Sequence, residues 1–164
     1  MEEIQRYSDA FWKNYTKIEN YKKYIDRIKK GEAEIEKRRQ IDLAIETKWT
    51  NLITAFKARN PGKDISDFTF QDVEIKYEHA RAQNSASDPF DFHPDEDKFY
   101  AFGLFKYTFG YWELMRNDLR NSQYFFLNWV VHTRTVQDIQ KRSEFLVNQF
   151  KYEIQGNNPA QAAS

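Results

Sequence analysis

The chain has 164 residues, of which 40% are hydrophobic, 17% aromatic and 30% charged, and its formal net charge is zero. This length is sufficient for one domain with a core, or for one domain and an extended helix. The absence of cysteine excludes disulfides and thiolate metal sites, and no apolar run approaches the roughly 20 residues of a transmembrane helix. We therefore expect no membrane partner and a core built largely from aromatic rings.

Charge is segregated along the chain even though it sums to zero. Basic residues exceed acidic ones by 14 to 10 over residues 1–60, and acidic residues dominate by 10 to 4 over residues 61–99. From residue 100 onward the balance is again basic, at 7 to 5. Because phosphate binding depends on a local patch, the neutral sum does not exclude a nucleic-acid partner.

Apolar residues recur at helical spacing from about Ile4 to Phe56. This periodicity predicts a short first helix and then a long helix that covers much of the stretch from Lys22 to Phe56. Gly31 interrupts the pattern mildly, since glycine within a helix costs about 1 kcal/mol relative to alanine. The sequence Asn60-Pro61-Gly62 is typical of a helix end, so we assign residues 1–60 to these two helices.

Residues 61–93 have the composition of an acidic, loop-rich insertion. A short helix near residues 73–82 is an alternative for part of it, and residues 84–88 are typical of a loop. Because like charges repel, we expect residues 64–91 to make no contact with a polyanion. Deletion of residues 84–88 is then expected to leave nucleic-acid binding unchanged or slightly stronger.

Three further helices are predicted within residues 94–155. Pro94 suits the first position of a helix, and the acidic residues 95–97 complement the dipole of its first turn. We expect this helix to end at Gly110 and the next to cover residues 111–120. The side chains expected to be buried are Phe99, Phe102, Phe105 and Phe109 in the first, and Trp112, Met115 and Leu119 in the second.

An apolar connection, residues 124–131, leads to the third of these helices. An apolar run needs a place in a core, so we expect Trp129 to be buried. The third helix opens with Thr135-Val136-Gln137-Asp138, in which Thr135 is expected to cap the first turn. We expect the tail, residues 156–164, to be disordered. The core face of the third helix is expected to contain Ile139, Leu146, Phe150 and Ile154.

Catalysis finds little support in this sequence. His79, His93 and His132 are far apart and lie beside no evident nucleophile. There is no glycine-rich phosphate loop and no His-Glu-x-x-His pattern. His93, Asp95 and Asp97 have metal-binding side chains, but an acidic cluster at a helix start explains them better. We therefore expect no enzyme activity, no metal and no cofactor.

Three short helices, of which the third is capped and bears exposed basic residues, are typical of Myb-like and homeodomain-like helix-turn-helix variants. The order of motifs over most of residues 11–153 resembles the SLIDE domain and preceding spacer helix of ISWI-type chromatin remodellers. The spacer is matched by Lys30-Gly31-Glu32-Ala33 and Ile35-Glu36-Lys37-Arg38-Arg39. The Myb-like helices and their connection are matched by Asp95-Glu96-Asp97-Lys98-Phe99, Phe126-Leu127-Asn128-Trp129, Thr133-Arg134-Thr135, Ile139-Gln140-Lys141-Arg142 and Leu146-Val147.

The sequence departs from the family pattern at two places. The family usually has a short basic Gly-Lys loop before the acidic helix start, and Asn60-Pro61-Gly62-Lys63 is its counterpart here. In this chain the long acidic insertion follows that loop. The second departure is His132, which stands where a lysine is common. Both departures lower the positive charge available for DNA.

The resemblance implies an all-α fold in which a long spacer helix precedes a three-helix, SANT-like bundle. The expected segments are residues 1–60, 61–93, 94–155 and 156–164. The resemblance also implies a nuclear module that binds the linker double-stranded DNA of nucleosomes through phosphates, with little sequence preference. The residues expected to face DNA are Arg134, Gln137, Lys141, Arg142, Lys106, Arg120, Lys37, Arg38 and Arg39.

Both the site and the function have alternatives. Lys37-Arg38-Arg39 also fits a solvated helix face, and Arg134, Gln137 and Lys141 also fit the ordinary exposed stripe of a helix. The alternative function is a protein-interaction module, in which the long helix and the acidic insertion dock another remodeller subunit or a histone segment. Salt-dependent binding to random duplex DNA would favour the DNA-binding function.

Overall fold

Helices make up most of residues 2–76 and 92–156, the part of the chain that the computed structural model describes. This range contains six α-helices and no strand, which confirms the all-α class. The helices are α1 (Glu2–Asn14), α2 (Tyr21–Arg59), α3 (Pro94–Tyr107), α4 (Trp112–Asn121), α5 (Trp129–Thr133) and α6 (Val136–Gly156). None of the helices in this range is both long enough and apolar enough to cross a bilayer.

The chain divides into two compact units, Met1–Gln40 and Ile41–Ser164, and the boundary falls within α2. The first unit contains α1, a 3₁₀ turn (Tyr15–Lys17) and the beginning of α2. Its rings contact one another, with centroids 5.7 Å apart for Tyr15 and Tyr21, but none of residues 3–40 is fully buried. The predicted long helix is confirmed, whereas the four-segment division stays a prediction.

The core lies in the second unit and draws residues from both ends of that unit. α2 contributes its C-terminal part, where buried positions three or four residues apart form one face. Helices α3, α4 and α6 contact one another and supply most of the rest of the core. The buried hydrophobic residues are Ile41, Ala44, Ile45, Leu52, Ile53, Phe56, Phe68, Val73, Tyr100, Ala101, Leu104, Met115, Leu119, Phe125, Val131, Ile139, Leu146, Val147 and Phe150.

Helix α3 begins as predicted but buries a different face. Pro94 occupies its first turn, and His93 and Glu96 form a capping box. The predicted stripe of phenylalanines (99, 102, 105 and 109) is only half-buried, because Tyr100, Ala101 and Leu104 occupy the inner face. The helix ends before Thr108, which adopts a left-handed φ of 64°. The prediction that it ends at Gly110 was therefore wrong by a few residues.

The described part of the acidic insertion, residues 61–76, contains two 3₁₀ turns, Ile65–Asp67 and Phe70–Asp72. Each turn is closed by a capping box. The side chains that follow these turns, Phe68 and Val73, are buried in the core. Residues 73–76 are not helical, so that part of the alternative helix near 73–82 was wrong. The rest of that helix, and the loop at 84–88, lie outside the described residues.

The connection between α4 and α6 does not bury the side chain that was expected. It contains a 3₁₀ turn (Gln123–Phe125) and the five-residue helix α5. Phe125 and Val131 occupy the core positions, whereas Trp129 is 67% exposed. The prediction that Trp129 is buried was therefore wrong. The physical reason is that the 3₁₀ turn and α5 follow each other closely, so only Phe125 and Val131 of this apolar run face the core.

The approach of α3 to α4 gives a test of this packing. A Cβ atom at Gly103 would lie 3.0 Å from both Cε and Cγ of Met115, whereas one at Gly31 would meet nothing within 4 Å. We expect Gly103→Val to lower the free energy of unfolding by about 1–3 kcal/mol, because it overpacks a closed core. Gly31→Val is the matched control and should cause no loss. Equal urea midpoints for the two variants would contradict this packing.

Candidate nucleic-acid interface

The start of α6 is fixed by a reciprocal cap. The backbone N–H of Asp138 donates to Thr135 Oγ1 at 3.1 Å, and the hydroxyl and N–H of Thr135 donate to Asp138 Oδ2 at 2.6 and 2.9 Å. This confirms the predicted cap. The hydrogen bonds from the hydroxyl and the N–H of Thr135 hold the pKa of the Asp138 carboxyl below its ordinary value. The first turn of α6 therefore has a defined position.

Arg134, directly before this cap, is held in a buried ion pair. Its Nε and Nη2 donate to the two carboxylate oxygens of Glu96 at 3.0 and 3.1 Å, and the two side chains are only 8% and 2% exposed. Burial disfavours the charged guanidinium, but the hydrogen bond and attraction to Glu96 outweigh it and raise the pKa of Arg134. The pair ties α3 to the turn before α6.

A second ion pair lies about two helical turns further along the chain, within α6. Arg142 donates to both oxygens of Asp97 at 2.6 Å, and the carboxylate is buried. The Phe92 ring lies under both guanidinium groups, with its centroid 4.0 Å from Arg134 Cζ and 5.0 Å from Arg142 Cζ. Charge pairing and cation–π contact together hold the start of α3 against α6.

These contacts assign Arg134 and Arg142 a role that the sequence analysis did not predict. Both were expected to face DNA, but each guanidinium fork is turned toward a buried carboxylate. A side chain that is bidentate to one carboxylate has little left to offer a phosphate. We therefore correct the prediction: Arg134 and Arg142 position α6, and the DNA-facing candidates are the exposed residues beyond them.

The exposed side of α6, which we term its outer face, is rich in amides and poor in charge. Gln137 and Lys141 were predicted there, and both are exposed. Lys141 has no ion pair among the residues described, whereas Gln140 donates to Glu144 at 3.0 Å. The exposed residues of the outer face are Gln137, Gln140, Lys141, Glu144, Asn148, Tyr152 and Gln155.

The other two predicted cations of the second unit lie on α3 and α4. Lys106 donates to Asp118 at 2.8 Å, and the same carboxylate accepts from the Tyr107 hydroxyl at 2.7 Å. The hydrogen bond to Asp118 raises the pKa of Lys106. Arg120 Nη2 donates to the His132 carbonyl at 3.3 Å, and no described carboxylate pairs with it. Arg120 therefore keeps more of its charge for a ligand than Lys106.

Lys37, Arg38 and Arg39 lie in the first unit and are exposed. Arg39 pairs with Glu36 at 3.6 Å within the same helix. Such an exposed pair is weak, so it leaves Arg39 able to contact an anion. These three residues form one local basic run on α2, as the sequence predicted.

The acidic residues at the start of α3 are the functional feature that the sequence analysis missed. Glu96 and Asp97 were assigned to the helix dipole, and the structure instead buries both. The available signal was their helical spacing, since Glu96 and Tyr100, and Asp97 and Ala101, are four apart and share a face. Burial raises the pKa of the Tyr100 hydroxyl far above its ordinary value.

The alternative metal site at His93, Asp95 and Asp97 is accounted for by other contacts. His93 Nδ1 accepts from the Asp95 N–H at 3.2 Å, and Asp97 pairs with Arg142. Among residues 2–76 and 92–156, no three acidic or histidine side chains are grouped so as to hold a metal ion.

The comparisons with known proteins agree with this arrangement of helices. The SLIDE family model matches residues 22–154. The chain is 27% identical over 150 residues to the human SWI/SNF-related matrix-associated actin-dependent regulator of chromatin subfamily A member 1. The matched region covers 90% of this chain and 12% of that protein. It is 25% identical over 154 residues to the ISWI chromatin-remodeling complex ATPase CHR11 of Arabidopsis thaliana, covering 94% and 13%. It is also 25% identical over 150 residues to ISW1 of Saccharomyces cerevisiae, covering 90% and 12%.

The buried pair makes a prediction about stability. Glu96→Gln leaves the Arg134 charge buried without its partner, so we expect the free energy of unfolding to fall by about 3–5 kcal/mol. Asp95→Asn, which changes a neighbouring and more exposed carboxylate, is the control and should have a much smaller effect. The double variant Glu96→Met/Arg134→Met should recover much of the loss in urea unfolding. A loss of less than 1 kcal/mol for Glu96→Gln would show that the pair does not hold α3 to α6.

The cap of α6 predicts a pH dependence. Because the folded pKa of Asp138 is lowered, its contribution to stability is present above the unfolded value of about 3.9 and is lost as pH falls through the folded pKa. Asp138→Asn should therefore destabilise the fold by about 1 kcal/mol at neutral pH. This difference from the unmodified chain should shrink below about pH 4. Glu144→Gln, on the same helix, should show neither effect, and a pH-independent difference for Asp138→Asn would refute the assignment.

Proposed function

Because this chain belongs to the SLIDE family, we propose that it is a DNA-binding module of an ISWI-type chromatin remodeller. The module contacts linker double-stranded DNA through phosphates, with little sequence preference, and so helps to position nucleosomes. The chain spans 12–13% of the length of the relatives given above. A binding role in the nucleus, rather than catalysis, is proposed for this portion.

The observation that carries the proposal is the way in which α6 is presented. Two ion pairs and a reciprocal cap fix its start, and its outer face with Gln137 and Lys141 is left exposed. In helix-turn-helix variants a helix held in this way is the one that lies against DNA. An exposed lysine and amides on such a helix are suited to phosphate oxygens.

The number of available cations sets the expected strength of binding. Arg134 and Arg142 are engaged with Glu96 and Asp97, so the proposed phosphate contacts fall to Lys141 and the run Lys37-Arg38-Arg39. Lys106 contributes less, because Asp118 already neutralises it. If about three phosphates are neutralised, log K should fall with log salt at a slope of about −3.

The alternative function, docking of a remodeller subunit or a histone segment, is supported by a separate observation. The turn between α4 and α5 exposes large apolar side chains, including Phe126 and Leu127. Such a patch is typical of protein interfaces and has no evident use in phosphate binding. The two functions use different surfaces of the second unit, so they are compatible.

The DNA surface is tested by a substitution that leaves the fold intact. Lys141→Ala should weaken binding equally on unrelated duplex sequences and should make the slope of log K against log salt shallower by about 1 unit. Lys57→Ala, which removes an exposed lysine near the end of α2, is the matched control and should leave the slope unchanged. The measurement is a fluorescence anisotropy titration at several salt concentrations, with circular dichroism to confirm the fold.

Two results would contradict the proposal. An unchanged affinity and slope for Lys141→Ala would remove α6 from the DNA surface. A loss of affinity on only some duplex sequences would mean that α6 contacts base edges rather than phosphates.

A further inference from the structure

The second unit carries an exposed apolar patch at the turn between α4 and α5, which we term the apolar turn. It consists of Tyr124, Phe126, Leu127 and Trp129, whose exposed fractions are 50%, 76%, 90% and 67%. These four large side chains lie within six consecutive residues. Single exposed apolar residues are ordinary in proteins, but a cluster of this kind usually marks an interaction site.

The backbone of the apolar turn is held in place by hydrogen bonds. The Asn128 N–H donates to the Phe125 carbonyl at 2.8 Å, and the Asn128 side chain accepts from the Val131 N–H at 3.3 Å. The His132 ring lies 3.0 Å from the same Phe125 carbonyl. Phe125 and Val131 anchor the turn in the core. The exposed side chains are therefore presented by an ordered turn, which lowers the entropy lost on binding.

The size of the patch suits a protein partner. An aromatic side chain offers about 150–250 Å² of surface, so these exposed fractions leave on the order of 500 Å² of apolar surface in water. That area is at the upper part of the range for the largest patch on a typical monomer, about 300–600 Å². It also supplies much of the roughly 800 Å² that each partner contributes to a standard interface.

The charge beside the patch indicates what kind of segment fits it. At the α4 end of the patch, the Tyr124 hydroxyl donates to Asp95 Oδ2 at 2.9 Å, so that carboxylate is already engaged. At the α5 end, Arg120 Nη2 donates to the His132 carbonyl, and no described carboxylate neutralises its charge. A second copy of this chain would bring a second Arg120 to the same contact, where the two like charges would repel each other. An acidic segment would instead gain an ion pair.

We propose that the apolar turn binds a segment of another protein in which apolar side chains are flanked by Asp or Glu. The apolar side chains cover Phe126, Leu127 and Trp129, and the acidic group pairs with Arg120. This surface goes beyond the proposed DNA contact, since it lies on the α4–α5 connection and not on the outer face of α6.

The test is a selection of random linear peptides displayed on phage, using the 164-residue chain as bait. Selected peptides should be rich in apolar residues next to Asp or Glu. Synthetic versions should bind the double variant Phe126→Ser/Leu127→Ser at least about 10-fold more weakly, as expected for the centre of an interface. Leu43→Ser removes another exposed apolar residue, from α2, and should leave peptide binding unchanged.

A charge exchange distinguishes a specific contact from general stickiness. Arg120→Glu should weaken the selected acidic peptide about 10-fold, and replacing its acidic residue with lysine should restore binding to that variant. No enrichment of peptides, enrichment of basic peptides, or binding that the double variant does not change would each overturn the proposal. Sedimentation that shows a dimer abolished by Phe126→Ser/Leu127→Ser would assign the patch to a second copy instead.

DNA binding separates this proposal from the proposed function. The variant Phe126→Ser/Leu127→Ser should keep the DNA affinity of the unmodified chain, because neither side chain contacts phosphate. If that variant lost DNA affinity with the fold intact, the apolar turn would be a DNA contact and the protein-docking proposal would fail. Loss of peptide binding with DNA binding retained is the expected result, and it holds whether or not Lys141 proves to contact DNA.

Discussion

The position of α6 depends on two buried ion pairs that join it to the start of α3. Glu96 pairs with Arg134 and Asp97 with Arg142, and the Phe92 ring lies under both guanidinium groups. A buried ion pair adds little net stability, since removing both charges from water costs about as much as their attraction returns. It does, however, penalise any arrangement that separates the partners. The pairs therefore act mainly by allowing α6 one orientation against α3.

This arrangement separates the residues that position α6 from those that meet a ligand. The arginines nearest the capped start of α6 are turned inward, and the outer face carries Gln137 and Lys141. The same inward pairing explains how the acidic start of α3 lies close to Arg134 and Arg142 without exposing its charge. Glu96 and Asp97 do not oppose DNA at the surface, because their charge is neutralised in the core.

Periodicity and capping rules were sufficient to predict most of the fold from the sequence. The long helix, the first turn at Pro94 and the cap at Thr135 each depend on neighbouring residues, so local rules identify them. Burial of Glu96 and exposure of Trp129 depend on contacts between elements distant in sequence. Local rules assigned Glu96 only to the helix dipole and predicted Trp129 to be buried. The DNA-facing residues were predicted from the family resemblance and from helix faces, and neither could separate Lys141 from the paired Arg134.

The shortage of charge on the outer face of α6 has a kinetic consequence. With one lysine among its exposed amides, this surface forms few electrostatic contacts, and differences in affinity between related complexes lie mostly in the rate of dissociation. In the proposed complex with DNA, its residence time would therefore be short when it acts alone. If the module were linked to a second DNA-binding domain, the outer face would rebind at the high effective concentration that a short linker provides. Such a contact can be released and made again without releasing the whole assembly.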